Sequence, residues 1–146
     1  MMFHNKPLPQ FDFNDATTKL AVERAFDGFV YPTKKLYGTA VGAALDAVVD
    51  GLLTEEAGHR SDSPALVLVL TDGRSQETDA VVAAAGQRLR DTGATVFALG
   101  ITDAVDALQL VSIAGSAGQA GSSPPTRLHC PACFGFGMNL PTSPSA

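Results

Sequence analysis

Ala65-Leu66-Val67-Leu68-Val69-Leu70-Thr71-Asp72-Gly73-Arg74-Ser75-Gln76 decides the fold of this chain. Six apolar residues in succession read as a strand buried on both faces, as in a parallel sheet. The run then stops at Thr71-Asp72-Gly73. A carboxylate just past the carboxyl end of such a strand stands at the crevice where open α/β sheets take their ligands. Asp-Gly is also a common turn dipeptide, and the stretch by itself leaves both readings open.

On the C-terminal side, the spacing predicts a helix over 76–92, with Val81, Ala84, Ala85 and Leu89 facing inward and Gly93 as its C′ residue. Ala94 to Leu99 is a second apolar strand, closed by Gly100. A short helix near 104–114 follows, with Leu108, Val111 and Ala114 inward. On the N-terminal side, Thr54 to Pro64 is a polar loop. Before it, Val41, Leu45, Val48, Val49 and Leu52 form the stripe of a helix over roughly 40–54. Thr39 sits at its start, where a hydroxyl serves as an N-cap. Val22, Phe26, Phe29 and Val30 mark an earlier helix face, with Asp15 as N-cap and Tyr31-Pro32 as stop. Phe11-Asp12-Phe13 alternates like a half-buried edge strand.

Strand–helix–strand–helix order is the α/β pattern, so strands 65–71 and 94–99 are expected to be parallel. The helix over 40–54 must run back along the sheet before strand 65–71 begins. Its N-terminus therefore lies at the edge where that strand ends. Thr39, Asp72 and the loop of Asp103 are thus expected on one rim.

Composition narrows the function classes. The 146 residues are enough for one domain, and 45% are hydrophobic, so a core is possible. The formal net charge is −5 and the pI is about 4.9; with no basic patch, nucleic acid is not an expected partner. No apolar run reaches the roughly 18 residues that span a bilayer, and Met1 to Lys6 lacks the apolar core of a signal peptide. Ser116 to Ala146 holds five of the nine prolines and one charged residue, Arg127. It reads as a disordered Gly/Ser/Pro-rich tail. Cys130 and Cys133 form a lone CxxC beside His129, short of the four ligands of a zinc site and without the strand that precedes a redox motif.

Taken together, Gly38 to Leu45, Ala65 to Gln76 and Ala94 to Ala114 resemble a von Willebrand factor type A (vWA) domain. The likeness rests on Gly38-Thr39-Ala40-Val41-Gly42, Leu70-Thr71-Asp72-Gly73, Val96-Phe97-Ala98-Leu99-Gly100 and Leu110-Val111-Ser112-Ile113-Ala114, in that order, and covers roughly residues 3–115. Phe3 to Lys6 through Phe11 to Asp15 resembles the family's edge hairpin. The closest similarity is to matrix and adhesion members, of the matrilin and collagen-associated kind. The resemblance implies a doubly wound, mostly parallel sheet flanked by helices, and a non-enzymatic protein-binding module of the extracellular matrix or cell surface, with collagen among the candidate ligands.

The resemblance also implies a metal-ion-dependent adhesion site, usually for Mg²⁺, in which Thr39 gives a hydroxyl oxygen and Asp72 a carboxylate. Mg²⁺ wants about six oxygens and keeps several waters. The family's Asp-x-Ser-x-Ser, which ends its first, central strand and supplies three contacts, is missing, as are its last strand and helix. Val41 stands where a hydroxyl residue is common. The expectation is a vWA domain incomplete at both ends, with a metal site only if that motif lies upstream, and with marginal folding in isolation. Three other functions fit the same residues: an intracellular vWA scaffold or assembly subunit, a degenerate metal-independent interaction domain, and an enzyme on a doubly wound sheet. Against the enzyme, there is no Gly-rich phosphate loop. His4, His59 and His129 read as solvated side chains away from the rim.

Overall fold

The computed structural model describes residues 1–29 and 38–122. Val30, Tyr31 and Pro32 lie outside them, as does the tail from Ser123, with Arg127, His129, Cys130 and Cys133. Two short strands, β1 (Met2–Phe3) and β2 (Pro7–Leu8), pair antiparallel as a hairpin. Helix α1 (Lys19–Asp27) and helix α2 (Val41–Gly51) follow. Then come β3 (Leu66–Thr71), α3 (Asp79–Asp91), β4 (Thr95–Gly100), α4 (Ala107–Ala114) and β5 (Ala120–Ser122). The main sheet has the order β3-β4-β5 and is parallel throughout, in register Val67↔Val96, Val69↔Ala98 and Thr71↔Gly100. Ala120–Ser122, expected as part of the tail, thus adds a short third strand.

The core lies between one face of this sheet and helices α2, α3 and α4. Val69, Val96 and Ala98 point from the strands into Val41, Leu45, Val82, Leu89, Leu110 and Ile113. The strand periodicity of two does the sorting. Val69 and Thr71 are buried, whereas Leu66, Leu68 and Leu70 on the opposite face are 69%, 54% and 47% exposed. The expectation that this strand is buried on both faces is therefore corrected. No described element covers the leucine face, and a run of leucines and valines cannot by itself say how many layers surround it.

Two helix faces are corrected in the same way. On α3 the buried residues are Val82, Ala85, Gly86 and Leu89, while Val81 and Ala84 are exposed. On α4 they are Gln109, Leu110, Ile113 and Ala114, while Leu108 is 81% exposed. The observed faces overlap the expected ones only in part, sharing Ala85 and Leu89 on α3 and Ala114 on α4, because alanine-rich and apolar-all-round helices show no sharp stripe. Gly93 is in the left-handed region at φ 86°, as its C′ placement requires.

The N-terminal part departs further. Thr18, not Asp15, caps α1, accepting from the Ala21 amide at 3.2 Å. Helix α1 buries none of its residues, and Val22, Phe26 and Phe29 are exposed. Phe11 to Phe13 form no strand: the Asp12 carboxylate accepts from the amides of Asn14 (2.8 Å) and Asp15 (3.2 Å), an Asx turn that ends the extended run.

Candidate functional site at the sheet rim

The rim is built where β3 ends and α2 begins. Thr71 is buried, and its hydroxyl closes the turn after the strand, donating to the Gly73 carbonyl at 2.9 Å and accepting from the Gly73 amide at 3.4 Å. The turn is thus tied by Thr71, and the carboxylate of Asp72 is left exposed to solvent. Both readings of Thr-Asp-Gly hold at once: it is a turn, and it presents an acid at the sheet edge.

Helix α2 starts in an unusual way. Its N-cap is Ala40, which has no side-chain oxygen to offer. The first amides are instead met from across the chain. Ser75 Oγ accepts from the Val41 amide at 3.3 Å, Glu77 Oε2 from Gly42, and Glu77 Oε1 from Ala43 at 3.0 Å. A carboxylate suits the positive end of the helix dipole. Thr39 is therefore not the cap. It lies one residue outside, half-buried, with its main-chain carbonyl accepting from Ser75 Oγ (2.8 Å) and the Gln76 amide (2.9 Å). Its hydroxyl takes no part in these bonds. Gly38 beside it adopts φ 97°, a left-handed conformation that favours glycine.

The loop after Asp72 is pinned from its other side. Gln109 is buried on α4, accepting from the Ser75 amide at 2.8 Å and donating to Asp79 at 3.1 Å. Arg74 binds both oxygens of Asp79, at 2.8 and 3.0 Å, and approaches Asp106 at 3.6 Å. Arg74, with Gln109, holds the Asp79 carboxyl below its ordinary value of 3.8. Thr102, in the loop after β4, donates its hydroxyl to the Asp72 carbonyl. Thr39 and Asp72 are in this way fixed to one loop, 72–79, from both flanks. Asp103 is exposed in the neighbouring loop.

Ser75, Glu77 and Gln109 were not foreseen as rim residues. They act on partners 34 or more positions away, so no local pattern marks them. The histidines differ from expectation too. His4 and His59 are half-buried, and the Nδ1 of His4 and the Nε2 of His59 are buried without a hydrogen-bond partner among the described residues.

The described residues do not by themselves fit Mg²⁺. They offer one hydroxyl and one carboxylate, where the ion wants about six oxygens. No group of three or more His, Cys, Asp or Glu among them could hold a metal.

Comparison with known proteins now decides the family. The model of the von Willebrand factor type A domain matches residues 1–124. This chain belongs to the vWA family. Human matrilin-1 is 32% identical over 97 residues, covering 66% of this chain and 18% of matrilin-1. The human collagen alpha-6(VI) chain is 40% identical over 87 residues, covering 58% of this chain and 4% of the collagen chain. The chain thus spans less than a fifth of either relative. Among solved structures, proximal thread matrix protein 1 from the mussel byssus, with a zinc-occupied MIDAS motif, superposes with a TM-score of 0.75. It is 21% identical and covers 84% of this chain and 30% of that one. That likeness shows the fold, an incomplete α/β vWA sheet. No described helix is long and apolar enough to cross a membrane.

Proposed function

We propose that this vWA domain is a protein-binding module of the extracellular matrix or cell surface, working through the rim of Thr39 and Asp72 and not through catalysis. The observation that carries the reading is the exposed Asp72 carboxylate on a turn closed by Thr71 and held to the start of α2 by Ser75 and Gln76. A rigidly held acid that forms no part of its own turn is poised to face a ligand. The matches to matrilin-1 and a collagen chain support matrix or adhesion partners, with collagen the first to try.

In this reading Thr39 and Asp72 supply two oxygen donors of a divalent-cation site, with Mg²⁺ the favoured ion. The remaining donors come from outside the described residues. When bound, the ion would offer an open position to an acidic group of the partner. The chain's own part is to hold two oxygens at fixed positions while Glu77 neutralises the helix end beside them.

The test is solid-phase binding of the native protein to immobilised collagen. Asp72→Asn should abolish cation-dependent adhesion, and Asp103→Asn should leave it unchanged. Equal adhesion by wild type and the Asp72 variant would remove the rim from the account. Turnover of phosphoesters that is lost in the Asp72 variant would replace binding by catalysis.

A further inference from the structure

Among the described residues the buried polar side chains are Thr71, Ser75 and Gln109, and all three serve the rim. A polar group is costly to bury unless it is hydrogen-bonded. Gln109 meets that demand at both ends of its amide: Oε1 accepts from the Ser75 amide at 2.8 Å, and Nε2 donates to the Asp79 carboxylate at 3.1 Å. The neighbours dictate this orientation, since a main-chain N–H can only donate and an ionised carboxylate can only accept. The place therefore calls for a side chain that accepts at one atom and donates at the next. Glutamate, when ionised, supplies the first and not the second, and leucine supplies neither.

Gln109 stands on a rigid mount. It lies in the first turn of α4, where the Asp106 carboxylate accepts from the amides of Leu108 (2.9 Å) and Gln109 (3.3 Å). The following turns of the helix are fixed in the core by Leu110, Ile113 and Ala114. From this mount a short relay runs to the rim. Ser75, whose amide Gln109 holds, donates its Oγ to the Thr39 carbonyl at 2.8 Å and accepts from the Val41 amide at 3.3 Å. The Gln76 amide donates to the same Thr39 carbonyl at 2.9 Å. Asp72 begins the same loop, its carbonyl held by the Thr102 hydroxyl. Without the Gln109 oxygen, the buried Ser75 amide would lack an acceptor, a costly state that a shift of the loop relieves. Such a shift carries Ser75 away from Thr39.

We propose that Gln109 is a positioning residue of the rim: through Ser75 it fixes the main chain of Thr39 against the turn of Asp72, and so sets how tightly the rim holds a protein partner. The proposal rests on the reading of this rim as the binding surface. It adds that α4, which presents no residue to the partner in that reading, governs affinity through one buried amide. Supporting groups that lock a binding constellation from behind matter as much as the groups that touch the ligand.

Gln109→Glu in the full 146-residue chain tests this, read at two pH values. The introduced carboxyl keeps the acceptor for Ser75 and, once ionised, opposes Asp79. The other charged groups around it are Arg74 and Asp106, with Glu77 beside Ser75. Burial and the like charge of Asp79 raise its pKa, so it is protonated and able to donate near about pH 5 and ionised near about pH 7.5. Adhesion to immobilised collagen, taken as the ratio of variant to wild type, should fall at least about tenfold between those two values. The amide resonances of Val41 and Gln76, which bond to Ser75 and Thr39, should move further over this range in the variant than in the wild type. Recovery at the lower pH shows that the variant is folded. In the wild type the Ser75 amide should be protected from hydrogen exchange, a readout that needs no variant. An unprotected Ser75 amide, Val41 and Gln76 resonances that titrate alike in both proteins, or an unchanged ratio where Asp72→Asn abolishes adhesion would each overturn the proposal alone. No adhesion by the wild type, or adhesion that Asp72→Asn leaves intact, would remove the rim as the binding surface and the proposal with it.

Discussion

Glu77 shows how a single residue sets up this rim. Its carboxylate meets the amides of Gly42 and Ala43, a task the N-cap Ala40 lacks the side chain to perform. Glu77→Ala would leave two helix-end donors without a protein partner. The expected loss is about 1–2 kcal/mol, measured as a lowered urea midpoint with an unchanged slope. Arg74 and Asp79 give a pH signature. The folded-state pKa of Asp79 is depressed, so the tether's contribution is fully present above the ordinary carboxylate value and is lost as pH falls through the folded one. Stability should therefore fall below about pH 4, and an Asp79→Asn variant should show a shallower fall there. Both side chains are more than half exposed, so solvent screening keeps the pair's contribution small.

At the scale of elements, the contact between α3 and α4 can be probed at Gly86. A Cβ on Gly86 would lie 2.9 Å from the Ser112 carbonyl oxygen and 3.0 Å from Ile113 Cα. Both atoms are main chain and cannot swing away. Gly86→Ala should destabilise by about 1–3 kcal/mol through overpacking, despite its gain in helix propensity. On α4, Leu110→Ala should cost about 2–5 kcal/mol, and Leu108→Ala less than about 0.5 kcal/mol. Thermal or urea midpoints of the pair separate the observed helix face from the one expected by spacing. What was legible in the sequence at this scale was order and type. Helix, strand, helix, strand and helix from Ala40 to Ala114 all form, β3 and β4 are parallel, and Thr39 and Asp72 share a rim. What was not legible depends on distant partners. The alanine-rich α3 has several nearly equivalent faces, and its packing partner α4 chooses among them. Asp12 ended a predicted strand because its side chain captured two amides. Ser75, Glu77 and Gln109 have no local signature, since each serves an element more than thirty residues away.

At the scale of the whole molecule, the described residues form a sheet with helices on one face and exposed leucines on the other. That arrangement buries less apolar surface than a sheet covered on both sides, and stability margins are thin even for complete domains. The 146-residue chain should unfold with a free energy below about 5 kcal/mol and a urea slope smaller than expected for its length. A steep, cooperative transition of ordinary size would show that the leucine face is covered. Membership of the vWA family follows from the match over residues 1–124. The proposed binding function rests on the rim, whose exposed acid is Asp72. The most direct measurement is a cation titration of the native protein by isothermal calorimetry, wild type beside Asp72→Asn. One bound Mg²⁺ or Mn²⁺, weakened at least about tenfold by the substitution, is the result this account predicts. An ion held equally well by the Asp72 variant, or no bound ion in the native protein, would contradict it.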